Sequence, residues 1–127
     1  MKRVLIDTSV WVDHFRRPNN ELIRLLGLDL ALMHPMVLLE LACGTPPAPR
    51  QRTLHDLNLL QQAQQASWRE VMDFVEREQL YGQGCGLVDL SLLASALLTP
   101  GACLWTLDRR LAAIADQLGV SHQPALH

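Results

Sequence analysis

Three short apolar runs, "VLI" at 4–6, "ALM" at 31–33 and "CLW" at 103–105, restrict this chain more than any other feature. Each is too short for a helix and lacks the polar alternation of a half-exposed strand, so each reads as a strand buried on both faces. The segments between them carry helical periodicity. Buried strands alternating with helices give an α/β fold, a small parallel sheet flanked by helices on both faces.

The flanking residues supply the punctuation. After "RVLI", the run "DTS" offers three helix-capping residues ahead of "VWVDHFRR", which Pro18 ends. "NNELIRLLG" predicts a short helix capped at Asn20 and closed at Gly27, with Leu22, Leu25 and Leu26 on one face. Pro35 suits the first position of the next helix, which Gly44 terminates. "TPPAPR" reads as a surface loop, followed by a helix over about 51–65. A further helix places Trp68, Val71, Met72 and Val75 in an apolar stripe. Residues 90–107 carry no charge, but Pro100-Gly101 divides them into a buried helix, a turn and a strand rather than a membrane span. "DRRLAAIADQLG" completes the series as an amphipathic helix.

With 127 residues, 49% hydrophobic and 19% charged, the chain predicts one domain over 1–127. A formal net charge of −2 excludes a general basic coat for nucleic acid. The three cysteines, Cys43, Cys85 and Cys103, lack CxxC spacing and read as buried free thiols in a reducing compartment. "MKRVLI" is too short for an export signal, so the expected location is cytoplasmic.

Against this apolar background four carboxylates stand out. Asp7 and Asp108 directly follow predicted strands, Asp89 falls in the first turn of an almost wholly apolar helix, and Glu40 interrupts "MVLLELACG". The other nine acids lie mostly on polar faces or in loops. Asp7 and Asp108 could be ordinary helix caps, Asp89 could complement a helix dipole and Glu40 could reach solvent from a helix end, whereas a buried Glu40 would demand compensation. In a parallel sheet the strand ends share one edge, where ligands collect. Carboxylates converging there repel, and a divalent cation relieves the repulsion. Oxygen ligands favour Mg²⁺ or Mn²⁺, and such a cation supports phosphodiester hydrolysis by lowering the pKa of water.

The set "LIDTSVW", "LLELACG", "GLVDLSLLASAL" and "LWTLDRRL" resembles, over essentially the whole chain, the PIN-domain ribonucleases, specifically the VapC-type toxins of bacterial toxin–antitoxin pairs. The resemblance implies an Mg²⁺- or Mn²⁺-dependent endoribonuclease whose metal is held by Asp7, Glu40, Asp89 and Asp108. It places the hydroxyls of Thr8, Ser9 and Thr106 beside that quartet, where they would orient the carboxylates. It further implies an RNA substrate, a homodimer and a protein antitoxin. Leu111 departs from the aromatic many relatives carry there, an apolar exchange.

Arg109 and Arg110 follow the last acid and are candidates for phosphate contact. The five histidines show no metal-ligand spacing, and Trp11, Trp68 and Trp105 read as packing residues for the core or a dimer face. Two other functions compete. An aspartyl-phosphate phosphotransfer domain normally needs a lysine near its acids, whereas the sole lysine is Lys2. An inactive PIN-like binding module is disfavoured by the presence of all four acids.

Overall fold

The computed structural model describes residues 2–124. It contains β1 (Arg3–Ile6), α1 (Thr8–Arg16), α2 (Asn20–Gly27), β2 (Ala31–Met33), α3 (Pro35–Cys43), α4 (Arg50–Asn58) and β3 (Gln61–Gln62). The chain continues through α5 (Trp68–Arg77), α6 (Leu87–Leu98), β4 (Ala102–Trp105) and α7 (Arg109–Gln117). The four strands form one sheet in the order β3-β2-β1-β4, every pair parallel. Its register sets Val4 against Ala31 on one side and Cys103 on the other.

In β2 and β4 every residue is buried, and in β1 all but Arg3, so side chains pointing to either face find cover. Leu5, Ile6, Leu32, Leu92, Leu93, Leu104 and Leu111 are all within 1% of complete burial. Each such side chain contributes about 1.5–3 kcal/mol relative to exposure. The substitute leucine at 111 thus lies fully within the core.

Helices α3 and α6 are similarly apolar in sequence and end up in different environments. From Leu90 to Ala96, α6 is buried all round. Helix α3 buries only Val37 and Leu41, packs chiefly against α1 and α4, and leaves Leu39 and Glu40 exposed. Of the two readings of Glu40, the buried one is corrected and the solvent-reaching one is realised, since composition cannot distinguish a central helix from a flanking one.

The helix expected over about 51–65 is also corrected: α4 stops at Asn58, and Gln61 and Gln62 form an exposed edge strand beside Leu32 and Met33. Glutamine has little strand propensity; the open backbone edge of β2 recruits this segment. The cap of α2 shifts by one residue, to Asn19, whose side chain accepts from the Leu22 N–H.

His34 at the end of β2 caps α3. Its Nδ1 accepts from the Met36 N–H at 3.0 Å, leaving Nε2 as the protonated nitrogen that donates to Ser95 Oγ at 3.1 Å. Ser95 Oγ also accepts the Ala66 N–H at 3.0 Å, tying β2, α6 and the segment before α5 together. Burial lowers the His34 pKa and keeps the ring neutral.

Of the apolar stripe on α5, Val71 and Val75 turn inward while Met72 is exposed and Trp68 is 67% exposed, under the Arg69 guanidinium. Trp68 thus lies outside the core that Trp11 and Trp105 join. Only Cys103 is buried; Cys85 is half-buried and Cys43 exposed. No helix among the described residues is long and apolar enough to cross a membrane.

Candidate active site

Adjacent parallel strands deliver Asp7 from the end of β1 and Thr106 from the end of β4 to one edge of the sheet. Asp7 is 5% exposed and opens α1, accepting from the Ser9 N–H at 3.4 Å. Two hydroxyls hold the same carboxylate oxygen: Ser9 Oγ donates to Oδ2 at 2.6 Å, and Thr106 Oγ1 donates to it at 2.8 Å. Short bonds from O–H donors to an ionised oxygen are among the stronger hydrogen bonds in proteins. All these bonds fall on Oδ2, and Oδ1 accepts none among the described residues. Yet Oδ1 is not one of the sealed, partnerless atoms, so it keeps access to the surface.

The same hydroxyls bind the turn that carries Asp108. Ser9 Oγ accepts the Leu107 N–H and Thr106 Oγ1 accepts the Asp108 N–H, both at 3.0 Å. Asp108 then caps α7, its Oδ1 accepting the Leu111 N–H at 3.0 Å. The capping alternative for Asp7 and Asp108 is thus realised, and it fixes both carboxylates at the sheet edge. Across α1 and α3, Thr8 Oγ1 donates to Glu40 Oε1. Each of the three hydroxyls singled out by the sequence therefore engages an acid of the quartet.

Asp89, half-buried in the first turn of α6, carries the electrostatic signature of the cluster. Burial pushes its pKa up first; the charges of Asp7, Asp108 and Glu40 push it further, and the Gly86 backbone opposes them. One carboxyl thus senses all three of its expected partners. Among the described residues no three His, Cys, Asp or Glu side chains close into a complete metal-holding group. Mg²⁺ is usually held by one or two carboxylates with waters filling the remaining positions. The donor set fits that pattern: oxygen-only, in electrostatic excess, with a free Asp7 Oδ1 reaching the surface.

Arg109 and Arg110 are exposed in the first turn of α7. The Arg110 side chain lies over Gly84, where an added Cβ would fall 2.5 Å from Nη1 and 2.9 Å from Cδ. The neighbouring Cys85 thiol has its pKa raised by burial, then by Asp89 and Asp108, while Arg110 counters them. The 82–86 turn therefore borders the acids, a placement the sequence reading missed. A signal was available in the glycine cluster Gly82, Gly84 and Gly86, which marks a turn, and of these Gly84 is where another side chain comes close.

Residues 4–117 match the model of the PIN domain. Two curated relatives, both named Ribonuclease VapC32, come from Mycobacterium tuberculosis strains CDC 1551 / Oshkosh and ATCC 25618 / H37Rv. Each is 43% identical over 118 residues, covering 93% of this chain and 94% of the relative.

Proposed function

The chain belongs to the PIN-domain family and is of the VapC type, and from that premise we propose that it is an Mg²⁺- or Mn²⁺-dependent endoribonuclease, the toxin of a toxin–antitoxin pair. The observation that carries the proposal is the pairing of a rigidly held Asp7, one oxygen triply bonded and the other free, with an Asp89 charged against Asp7, Asp108 and Glu40. The curated names of the relatives support the ribonuclease activity.

In this reading Asp7, Glu40, Asp89 and Asp108 hold the cation. A divalent ion held there would supply a water of lowered pKa and would neutralise charge developing on the leaving oxygen. The protein's own contribution is orientation. Ser9 and Thr106 aim Asp7 and anchor the Leu107–Asp108 backbone, Thr8 fixes Glu40, and the α7 cap fixes Asp108. Arg109 and Arg110, at the start of α7, meet RNA phosphates and offset the acidity of the site.

The proposal takes residues 1–127 as a single nuclease domain acting in the cytoplasm as a homodimer, restrained by a protein antitoxin. Purified protein is incubated with RNA and Mg²⁺ or Mn²⁺ beside Asp7→Asn. Cleavage by the wild type alone is expected; equal cleavage by both proteins would dispose of the proposal.

A further inference from the structure

A cavity of about 410 Å³ lies between α1 and α3 beneath the loop that follows α3, with Glu40 in its wall. The volume is within the range of about 300–1,000 Å³ occupied by small-ligand sites. Val12, Phe15 and Pro47 supply apolar and aromatic lining, Arg16 a cation, and Thr45 a hydroxyl. The Arg16 guanidinium has no ion pair or hydrogen bond among the described residues, and neither does the Thr45 hydroxyl.

The loop wall is braced. Arg50 in the first turn of α4 donates to the carbonyls of Ala42 and Gly44, and Thr53 Oγ1 donates to the Pro47 carbonyl at 2.8 Å. These bonds fix the loop that forms one wall of the cavity, so the space needs no ordering step before a ligand enters. Phe15 is itself supported by Trp11, their ring centres 6.2 Å apart.

We propose that this cavity is a nucleobase subsite: it takes one unpaired base of single-stranded RNA next to the scissile phosphate, packs it against Phe15, and pairs Arg16 with the adjoining phosphate. The inference rests on the ribonuclease reading, because Glu40 belongs both to the acid quartet and to the cavity wall. An aromatic surface beside a free cation is the combination that binds single strands, each base contributing stacking and each phosphate a charge contact. A base still paired in a duplex cannot enter, so the cavity selects single-stranded RNA at this position.

The test uses a fluorescein-labelled 2′-O-methyl RNA dodecamer in Mg²⁺, its binding followed by anisotropy and its integrity by gel. Two variants leave the acids untouched: Arg16→Ala, and Thr45→Trp, which fills the cavity from its rim. Each is expected to bind the single strand about tenfold more weakly. Arg16→Ala should also reduce the slope of log affinity against log salt by about 0.7, the signature of one lost phosphate contact to a single strand. A perfect duplex of the same sequence should bind Thr45→Trp and wild type alike.

Unchanged single-strand binding by both variants overturns the subsite, and so does an equal loss for single strand and duplex. A shift in oligomeric state on sedimentation, with RNA affinity intact, overturns it too and assigns the cavity to a protein contact. Wild-type cleavage of unmodified RNA alongside unaffected variants removes the subsite while leaving the ribonuclease reading in place. Binding that weakens in the variants of a protein unable to cleave removes the ribonuclease reading instead and supports the subsite.

Discussion

Thr106 Oγ1 donates to Asp7 Oδ2 at 2.8 Å across 99 residues of chain, and with its other face accepts the Asp108 N–H at 3.0 Å. One hydroxyl thus sets the orientation of two acids that enter from neighbouring strands. Asp7 needs such support because the residue is only 5% exposed, so water alone does little to hold its carboxylate in place.

Thr106→Val removes both bonds with little change of volume. It is expected to weaken Mn²⁺ affinity and RNA cleavage by about 10–100-fold, while circular dichroism stays that of the wild type. Thr106→Ser should restore most of both. Loss of helical signal in Thr106→Val, or no recovery in Thr106→Ser, would show that the methyl group rather than the hydroxyl matters.

Gly84 has φ +86° and lies beneath Arg110. Gly84→Ala forces a side chain into a backbone region that costs L-residues about 1–2 kcal/mol, and it displaces the Arg110 guanidinium. Thermal stability and RNA cleavage should both fall. In an Arg110→Ala background the added cleavage defect should vanish while the stability cost persists. A cleavage loss that remains would place the effect at the 82–86 turn itself.

Asp89 has its pKa raised, first by burial and then by the neighbouring acids. The folded state therefore binds that proton more tightly than the unfolded chain, and the stability due to this group falls as pH rises from the ordinary carboxylate range through the folded pKa. At neutral pH the charge is a net cost. Asp89→Asn should raise the melting temperature at pH 7 while abolishing cleavage, and Mn²⁺ should raise it by less than in the wild type. A lower melting temperature in Asp89→Asn without metal would contradict the assigned repulsion.

His34 shifts in the opposite sense for stability. Its pKa is lowered by burial, so below about 6.5 the unfolded chain binds more protons than the folded one. This contribution is present at neutral pH and is lost as pH falls through the window between the unfolded and folded values. A charged ring would also place a proton on Nδ1, which must accept from the Met36 N–H. His34→Asn retains an acceptor for capping and should flatten the melting temperature between pH 5 and 7. An unchanged pH profile would exclude His34 as its source.

The α/β alternation was legible because "VLI", "ALM" and "CLW" are apolar at consecutive positions in runs too short for a helix, as strands covered on both faces are. Pro35, Gly44 and the break at Pro100-Gly101 were legible for an equally local reason, the fixed backbone demands of proline and helix ends. The acids Asp7, Asp89 and Asp108 announced themselves by interrupting or ending apolar runs. Local composition did not settle which of two apolar helices lies at the centre. Helix α6 is enclosed and α3 flanks it, so Glu40 reaches the surface and a Thr8 hydroxyl rather than a buried counter-ion. Gln61 and Gln62 became a strand only because β2 offered an unpaired edge, and Asp108 and Arg110 came within electrostatic reach of Cys85 only in the folded chain. Periodicity and capping act over a few residues and are therefore written in the sequence. Edge pairing, enclosure and the meeting of charges depend on segments up to about a hundred residues apart, and these only the folded chain brings together.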